Sequence, residues 1–473
     1  MKRIVIIGGG LSGALTALSL SSGRDERLQI MIIEKNDAQL FKGLAYSSDL
    51  NHQPLNVPAS GMSLFIDEPE HFLKWLKQNT HISGLSADEI TPDIFISRKV
   101  FGAYLSETIS VALKASHHEI ALIQDEAVAI QKEQNNYTLK LASGKLIEAN
   151  KIIIATGNQD TDFPYSVDPI LKENGNLISN PWAKHIIESI DAKAPVLIIG
   201  AGLTMVDLLI NLRQNNHTGK ITIVSRRGFL PLPHKMGQHW QLKTKQPEKI
   251  NLKNILQFVH HEVELAKAAN IGWQSVIDAI RPYFPQWWRG LTLSERTRLM
   301  RHLKPYWEIH RHRIPVDSHN FIQRELAAGT TALYGGKIIH IAAGQDNMAD
   351  VSFSCRKTNE QKQFHVKHII NCIGPLTDLK KSKLPLWQNL LQSGMVDTDY
   401  FNSGISCNAK GHIIDTKGQP DSNIFVIGNL RKGAEFESVA IRELRIQAKD
   451  IADQIQNEIK PKKRRNLFEW IID

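Results

Sequence analysis

Three glycines near the start of the chain have the spacing of a phosphate cradle. Gly8, Gly10 and Gly13 form Gly-x-Gly-x-x-Gly directly after the β-branched run Ile4–Ile7 and directly before an apolar helical pattern through Ala14, Leu15, Ala17, Leu18 and Leu20. Gly8 permits the tight turn, Gly10 lets a pyrophosphate approach the backbone, and Gly13 lets helix pack on strand. Phosphate then meets the free N–H groups and positive dipole end of the helix. A second strand, Ile30–Ile33, ends in Glu34, 26 residues on from Gly8, against a usual spacing of about 20. A carboxylate there accepts from ribose hydroxyls and repels a ribose phosphate, so this first site reads as one for an unphosphorylated ribose, as in FAD or NAD.

The pattern returns at Val196–Ile199, Gly200-Ala201-Gly202-Leu203-Thr204, and a helix through Val206, Leu208, Leu209 and Leu212. Met205 stands in place of the third glycine. The next strand, Ile221–Val224, ends in Ser225-Arg226-Arg227. Guanidinium groups there favour a 2′-phosphate, so this second site reads as NADPH. Two sites of opposite preference imply electron flow from NADPH to flavin, with the protein supplying orientation and electrostatics.

Elements that must position these sites follow from the rest of the chain. At 473 residues it suits two domains or one domain with a large insertion, and 42% hydrophobic and 22% charged residues are those of a soluble globular protein. The expected fold is two Rossmann-like dinucleotide-binding domains, the NADPH domain inserted in the FAD domain. The FAD domain is expected over 1–160, the NADPH domain over 161–360 with a helical insertion at about 240–320, and the FAD return over 361–459, near His368. A basic and hydrophobic tail, 460–473, follows. Ser294 is read as capping an amphipathic helix. Strands end at Ala155-Thr156-Gly157, Cys372-Ile373-Gly374 and Ile427-Gly428-Asn429. These resemble segments of two-dinucleotide flavoproteins, which implies domain crossings at segments of the Ala-Thr-Gly type and a polar contact from Asn429, in the place of an Asp, to the flavin's ribityl–phosphate region.

Composition narrows the function classes. Cys355, Cys372 and Cys407 are scattered, with no CxxC for a disulfide relay. The net charge of +9 is partly concentrated in Lys460, Lys462, Lys463, Arg464 and Arg465. This cluster continues into no nucleic-acid-binding fold, and fits either a solubilising end or weak membrane-surface contact. Lys2-Arg3 with its apolar run imitates a signal peptide but is better read as a buried first strand. No apolar stretch reaches membrane-spanning length, so a cytoplasmic location is expected.

The sequence resembles the bacterial FAD/NAD(P)-binding oxidoreductases. The likeness rests on Gly43-Leu44-Ala45-Tyr46-Ser47, Leu55-Asn56-Val57-Pro58-Ala59, Met62, Arg98 with Phe101–Leu105, Gly202–Asp207, Ser225–Gly228, His310–Arg313, Asn371–Pro375 and Glu437-Ser438. Some similar proteins oxidise an amino-acid nitrogen. The Baeyer–Villiger signature is absent; Asn180-Pro181-Trp182 holds a comparable place without its histidine.

Together these readings give as cofactor-binding Gly8, Gly10, Leu11, Ser12, Gly13, Glu34, Lys35, Gly43, Tyr46, Asn56, Val57, Met62, Arg98, Val128, Ala155, Thr156, Gly157, Gly374, Gly428 and Asn429. NADPH falls to Gly200, Gly202, Leu203, Thr204, Ser225, Arg226 and Arg227. Asn56 is the candidate catalytic residue, able to hydrogen-bond a flavin carbonyl or oxygen adduct, and equally able to stabilise a turn. His310-Arg311-His312-Arg313 reads as an anion clamp or a basic helix end; no metal is expected. His234 reads as structural or as a neighbour of the nicotinamide.

Three functions remain open at this point. They are a monooxygenase acting through a peroxyflavin on a small amine or amino acid with O₂, a reductase serving a quinone or protein acceptor, and a nucleotide-binding sensor.

Overall fold

The computed structural model describes residues 1–23, 26–47, 53–134, 136–159, 163–182 and 186–459. The expected tail at 460–473 lies outside them. Strand Arg3–Ile7 centres a six-stranded sheet in the order His412–Ile414, Pro420–Val426, Lys151–Ile154, Arg3–Ile7, Gln29–Glu34, Glu119–Gln124. Its pairings are parallel except at the His412–Ile414 edge. Unbroken Ile and Val runs suit this sheet because both of its faces are covered. Ile4, Ile6, Ile30 and Ile32 pack under helices Leu11–Ser21, Arg98–Lys114 and Ile441–Ile459. Val5, Ile7, Ile152 and Ile154 pack on the opposite side, against Trp387 and the small sheet of Ala127–Lys132, Tyr137–Leu141 and Leu146–Ala149.

A seven-stranded sheet repeats the plan. Its order is Gln361–Val366, Ala349–Cys355, Thr331–Ala343, Ile221–Ser225, Val196–Ile199, His368–Asn371, Leu177–Ile178. The Thr331–Ala343 strand begins parallel to Ile221–Ser225 and continues antiparallel to Ala349–Cys355. Helix Leu203–Gln214 follows the second glycine turn. Met205, where a third glycine was missing, is fully buried in the core beneath that helix.

One boundary moves. Strand His368–Asn371 was expected to begin the FAD return, but it pairs in parallel with Val196–Ile199 inside the second sheet. It plays there the part that Lys151–Ile154 plays in the first. Gly8 and Gly200 both hold positive φ, at 100° and 111°, and a Cβ on either would press on the carbonyl oxygen ending the neighbouring strand, that of Ala155 or of Cys372. The chain therefore leaves the second sheet only after Cys372. Sequence could not tell these strands apart, because a four-residue apolar run fits either sheet.

The insertion is helical, as expected, with helices from Leu252–Ala268 to Lys304–Arg311 around Trp287 and Trp288. Its capped helix starts two residues earlier than the sequence reading. Thr292, not Ser294, is the cap, in a reciprocal box with Glu295. No helix among the described residues is long and apolar enough to cross a membrane.

Candidate functional site

The first glycine turn opens onto a cleft of about 1000 Å³. Gly8, Gly10, Leu11, Ser12, Glu34, Lys35, Gly43, Tyr46, Ala155, Thr156, Gly157 and Asn429 all line it. These residues come from the C-terminal ends of four strands and the turns that follow, where a parallel sheet presents its ligand crevice. Helix Leu11–Ser21 begins on Gly10 with no side-chain cap and no acid in its first turn, so its leading N–H groups are left for a ligand. Glu34 bends back to accept from the Gly9 N–H at 2.8 Å and the Asn36 N–H at 2.9 Å. Its carboxylate is thereby fixed at the cleft wall. The Thr156 hydroxyl is buried with no hydrogen-bond partner among the described residues. A naked helix start, a bare Gly10 and an orphaned hydroxyl together fit a dinucleotide pyrophosphate.

Other expected residues act behind the cleft. A side chain on Gly13 would collide with the Gly8 carbonyl oxygen, so Gly13 serves helix–strand packing. Gly428 donates its N–H to Gln447 at 2.9 Å, and Gln447 also donates to Ser438 at 2.8 Å and to Glu435. This buried network sets the backbone from which Asn429 and Ser438 reach the cleft. Asn429 donates to Asn158 at 2.8 Å.

Several candidates lie away from the cleft. Met62 is core, packed with Leu64, Phe72 and Tyr104. Val57 packs against that core, and Val128 is a strand residue whose neighbours Glu126 and Ala127, but not itself, line the cleft. Gly374 only precedes the lining residues Pro375 and Leu376. Asn56 is half-buried outside the lining, and its carbonyl oxygen accepts from His234 Nε2 at 2.9 Å. His234 thus ties the Asn56 loop to the second domain, and burial pushes its pKa down to about 4. Arg98 meets Asp207 of helix Leu203–Gln214 at 3.2 Å, and both side chains are nearly buried. That ion pair joins the two nucleotide domains.

The sequence reading missed Gln39, Lys42, Asp125, Gln159, Thr377, Asp378, Lys381 and Trp387, which also line the cleft. Only Asn158, following the quoted Ala-Thr-Gly strand, and Ser438, in the quoted Glu-Ser pair, had a local signal.

At the second turn, Gly200 and Gly202 again lead into an uncapped helix, starting at Leu203 and Thr204. Ser225 accepts from the Gly228 N–H at 3.0 Å, which shapes the turn after the strand. Arg226 is exposed, whereas Arg227 lies over the Tyr306 ring at 5.3 Å.

His310–Arg313 is a structural hub and not an open anion clamp. Arg311 meets Glu437 at 3.2 Å and Glu443 at 3.7 Å, and Arg313 meets Asp278 at 2.6 Å. His310 packs on Trp273, and His312 faces Glu308 at 3.3 Å. The hub fastens the helical insertion to the segment ending at Ser438 and Val439, both cleft residues. Between them Phe436 holds φ 63° and ψ −50°, with the Glu437 N–H on the Glu435 carbonyl at 2.7 Å. This is a γ-turn of the rare, strained hand. Phe436 keeps it by stacking on Phe284 at 5.1 Å and packing on Trp288 at 4.9 Å.

Residues 5–159 match the family described as FAD-NAD(P)-binding. No curated protein matches the sequence. Among solved structures, the chain resembles L-lysine 6-monooxygenase from Pseudomonas syringae, with a TM-score of 0.68, 14% identity, and coverage of 98% of this chain and 100% of that one. It also resembles the FAD-bound cadaverine monooxygenase from Erwinia amylovora, with a TM-score of 0.67, 14% identity, and coverage of 98% and 97%. A third is the ornithine N-hydroxylase from Kutzneria sp. 744, solved with reduced FAD, NADP⁺ and L-ornithine, with a TM-score of 0.64, 13% identity, and coverage of 96% and 99%. At such identities the likeness establishes a shared two-domain fold.

Proposed function

We propose that this chain is an FAD-dependent oxidoreductase reduced by NADPH, and within that class a monooxygenase of a small amine or amino acid. The observation that carries the reading is the pair of matching glycine turns on separate parallel sheets, one followed by Glu34 and the other by Ser225-Arg226-Arg227. A carboxylate selects the unphosphorylated ribose of FAD, and cations select the phosphorylated ribose of NADPH. The fold shared with amine and amino-acid monooxygenases supports the finer reading.

The chain's residues bind and orient. Gly10 and the helix start at Leu11 and Ser12 would hold the FAD pyrophosphate, Glu34 the adenosine ribose, and Asn429 with Thr156 the polar chain toward the flavin. A flavin held there would supply the hydride-accepting and oxygen chemistry. Burial pushes up the pKa of Cys372 and raises that of Cys407 to about 12, with no cysteine neighbour in sequence to form a redox pair. Neither thiol suits a disulfide relay.

The test is anaerobic NADPH reduction of the flavin-loaded protein, followed by O₂ in the presence of lysine, ornithine and aliphatic diamines. A hydroxylated amine formed in proportion to NADPH consumed is the expected result. Hydrogen peroxide as the sole product with every amine refutes the monooxygenase reading. Failure of NADPH to bleach bound flavin refutes the oxidoreductase reading as well.

A further inference from the structure

Arg226 and Arg227 were expected to grip the ribose phosphate together, yet Arg227 is committed elsewhere. Its guanidinium covers Tyr306, with Nη1 3.5 Å from the hydroxyl. Phe229 meets the same ring at 5.2 Å, and the Leu232 N–H reaches the Ile309 carbonyl at 3.3 Å. These contacts lay helix Lys304–Arg311 along the segment that follows strand Ile221–Ser225. The same helix is tied on another side to the segment after the FAD-cleft residue Asn429, because Trp307 donates to Glu437 at 2.6 Å. Trp288 of the insertion also donates to the Gly433 carbonyl, next to Lys432, at 2.8 Å. Lys304, the first residue of that helix, therefore sits where the second nucleotide domain, the insertion and the FAD cleft meet.

We propose that Lys304 and Lys432 complete, with Arg226, a site for the phosphate on the reductant's ribose, an assignment that rests on reading the second domain as an NADPH site. One carboxylate, Glu308, acts against the three cations there. Among the described residues, the side chains of Lys304, Lys432 and Arg226 make no hydrogen bond or ion pair. Burial depresses the Lys304 ammonium, Lys432 and Arg226 depress it further, and Glu308, which opposes them, also faces His312 at 3.3 Å. A cation drawn out of water beside like charges is unfavourable until an anion arrives. A dianionic phosphate answers all three, with lysines as point charges and a guanidinium as a fork. A π-helical turn, Leu299–Leu303, immediately precedes Lys304. Such distortions are common at functional positions.

The site requires three segments far apart in sequence to close on one ligand group. Preference for NADPH over NADH would then depend on the insertion and on the FAD-cleft segment as well as on the second domain itself.

The experiment is calorimetric titration of the flavin-loaded protein with adenosine 2′,5′-bisphosphate and with adenosine 5′-phosphate. Lys304→Met and Lys432→Met should each weaken the bisphosphate about tenfold, the scale of one charge-assisted contact, and leave the monophosphate unchanged. KM for NADPH should rise in parallel while KM for NADH holds, and Lys304→Arg should keep most of the affinity. Retained flavin absorbance and far-UV dichroism establish that each variant is folded. If both lysine variants bind the bisphosphate normally while Arg226→Met loses tenfold, the proposal fails and the NADPH reading stands. If the unaltered protein binds both nucleotides equally, the NADPH reading itself fails. A lysine variant that raises KM only for a carboxylate-bearing substrate, with nucleotide binding intact, overturns the proposal by giving these cations to that substrate.

Discussion

Replacing Arg98 by methionine tests whether the interdomain contact is electrostatic. The guanidinium lies 3.2 Å from Asp207, and the two side chains are 10% and 9% exposed. Methionine keeps much of the volume but leaves Asp207 buried without a counter-charge, a loss of about 3–5 kcal/mol, or about 10²- to 10⁴-fold in the unfolding equilibrium. The effect carries a pH signature. Burial already raises the Asp207 pKa, and Arg98 opposes that rise. A carboxyl whose folded pKa is raised holds its proton more tightly in the folded state. Its contribution is complete below the unfolded value of about 3.9 and is lost as pH rises through the folded value. Removing Arg98 raises the folded value further. The deficit of Arg98→Met should therefore be small near pH 4 and grow as pH rises toward 8. Urea unfolding of the flavin-loaded protein, followed by tryptophan and flavin fluorescence, measures it. Arg98→Met with Asp207→Leu should recover at least half of the loss, since an apolar pair carries no desolvation cost. A deficit that is constant across this pH range would refute the electrostatic account and leave packing of Arg98 over Trp182, at 6.0 Å, as the cause.

Three further outcomes follow from the same geometry. Phe436→Ala should cost about 3–5 kcal/mol through the lost aromatic packing, and Phe436→Gly should be about 1 kcal/mol less damaging than alanine, the reverse of the usual order, because glycine tolerates positive φ; thermal melts of the two variants decide it. The His234 pKa is depressed to about 4, so the stability it contributes is present above its unfolded value of about 6.5 and is lost as pH falls; His234→Gln should flatten the acid limb of the stability–pH curve between those values, and an unchanged limb would refute the assignment. Gly13→Ala places a methyl against the Gly8 carbonyl, so the purified protein should lose bound FAD, as the absence of a visible flavin spectrum would record.

The sequence by itself determined the two nucleotide sites in outline. Phosphate cradles are built from contiguous backbone: a strand, two or three glycines and a helix start carry the whole signal within about fifteen residues. The positions of Glu34 and Arg226 were legible for the same reason, since Glu34 ends, and Arg226 directly follows, the next strand of its unit. Tertiary structure decided the remainder. Asn158 and Asn429 share a hydrogen bond across 271 positions, and Arg98 finds Asp207 across 109. Such meetings depend on strand order, which short apolar runs do not encode. That is why His368–Asn371 was placed with the wrong sheet, and why Met62, equally apolar in core or cleft, was given to the cofactor. The basic run His310–Arg313 had the composition of a ligand clamp, but its acidic partners, Asp278, Glu437 and Glu443, come from elsewhere in the chain. Charge in a sequence says that a partner is needed; only the fold says whether the protein already provides one.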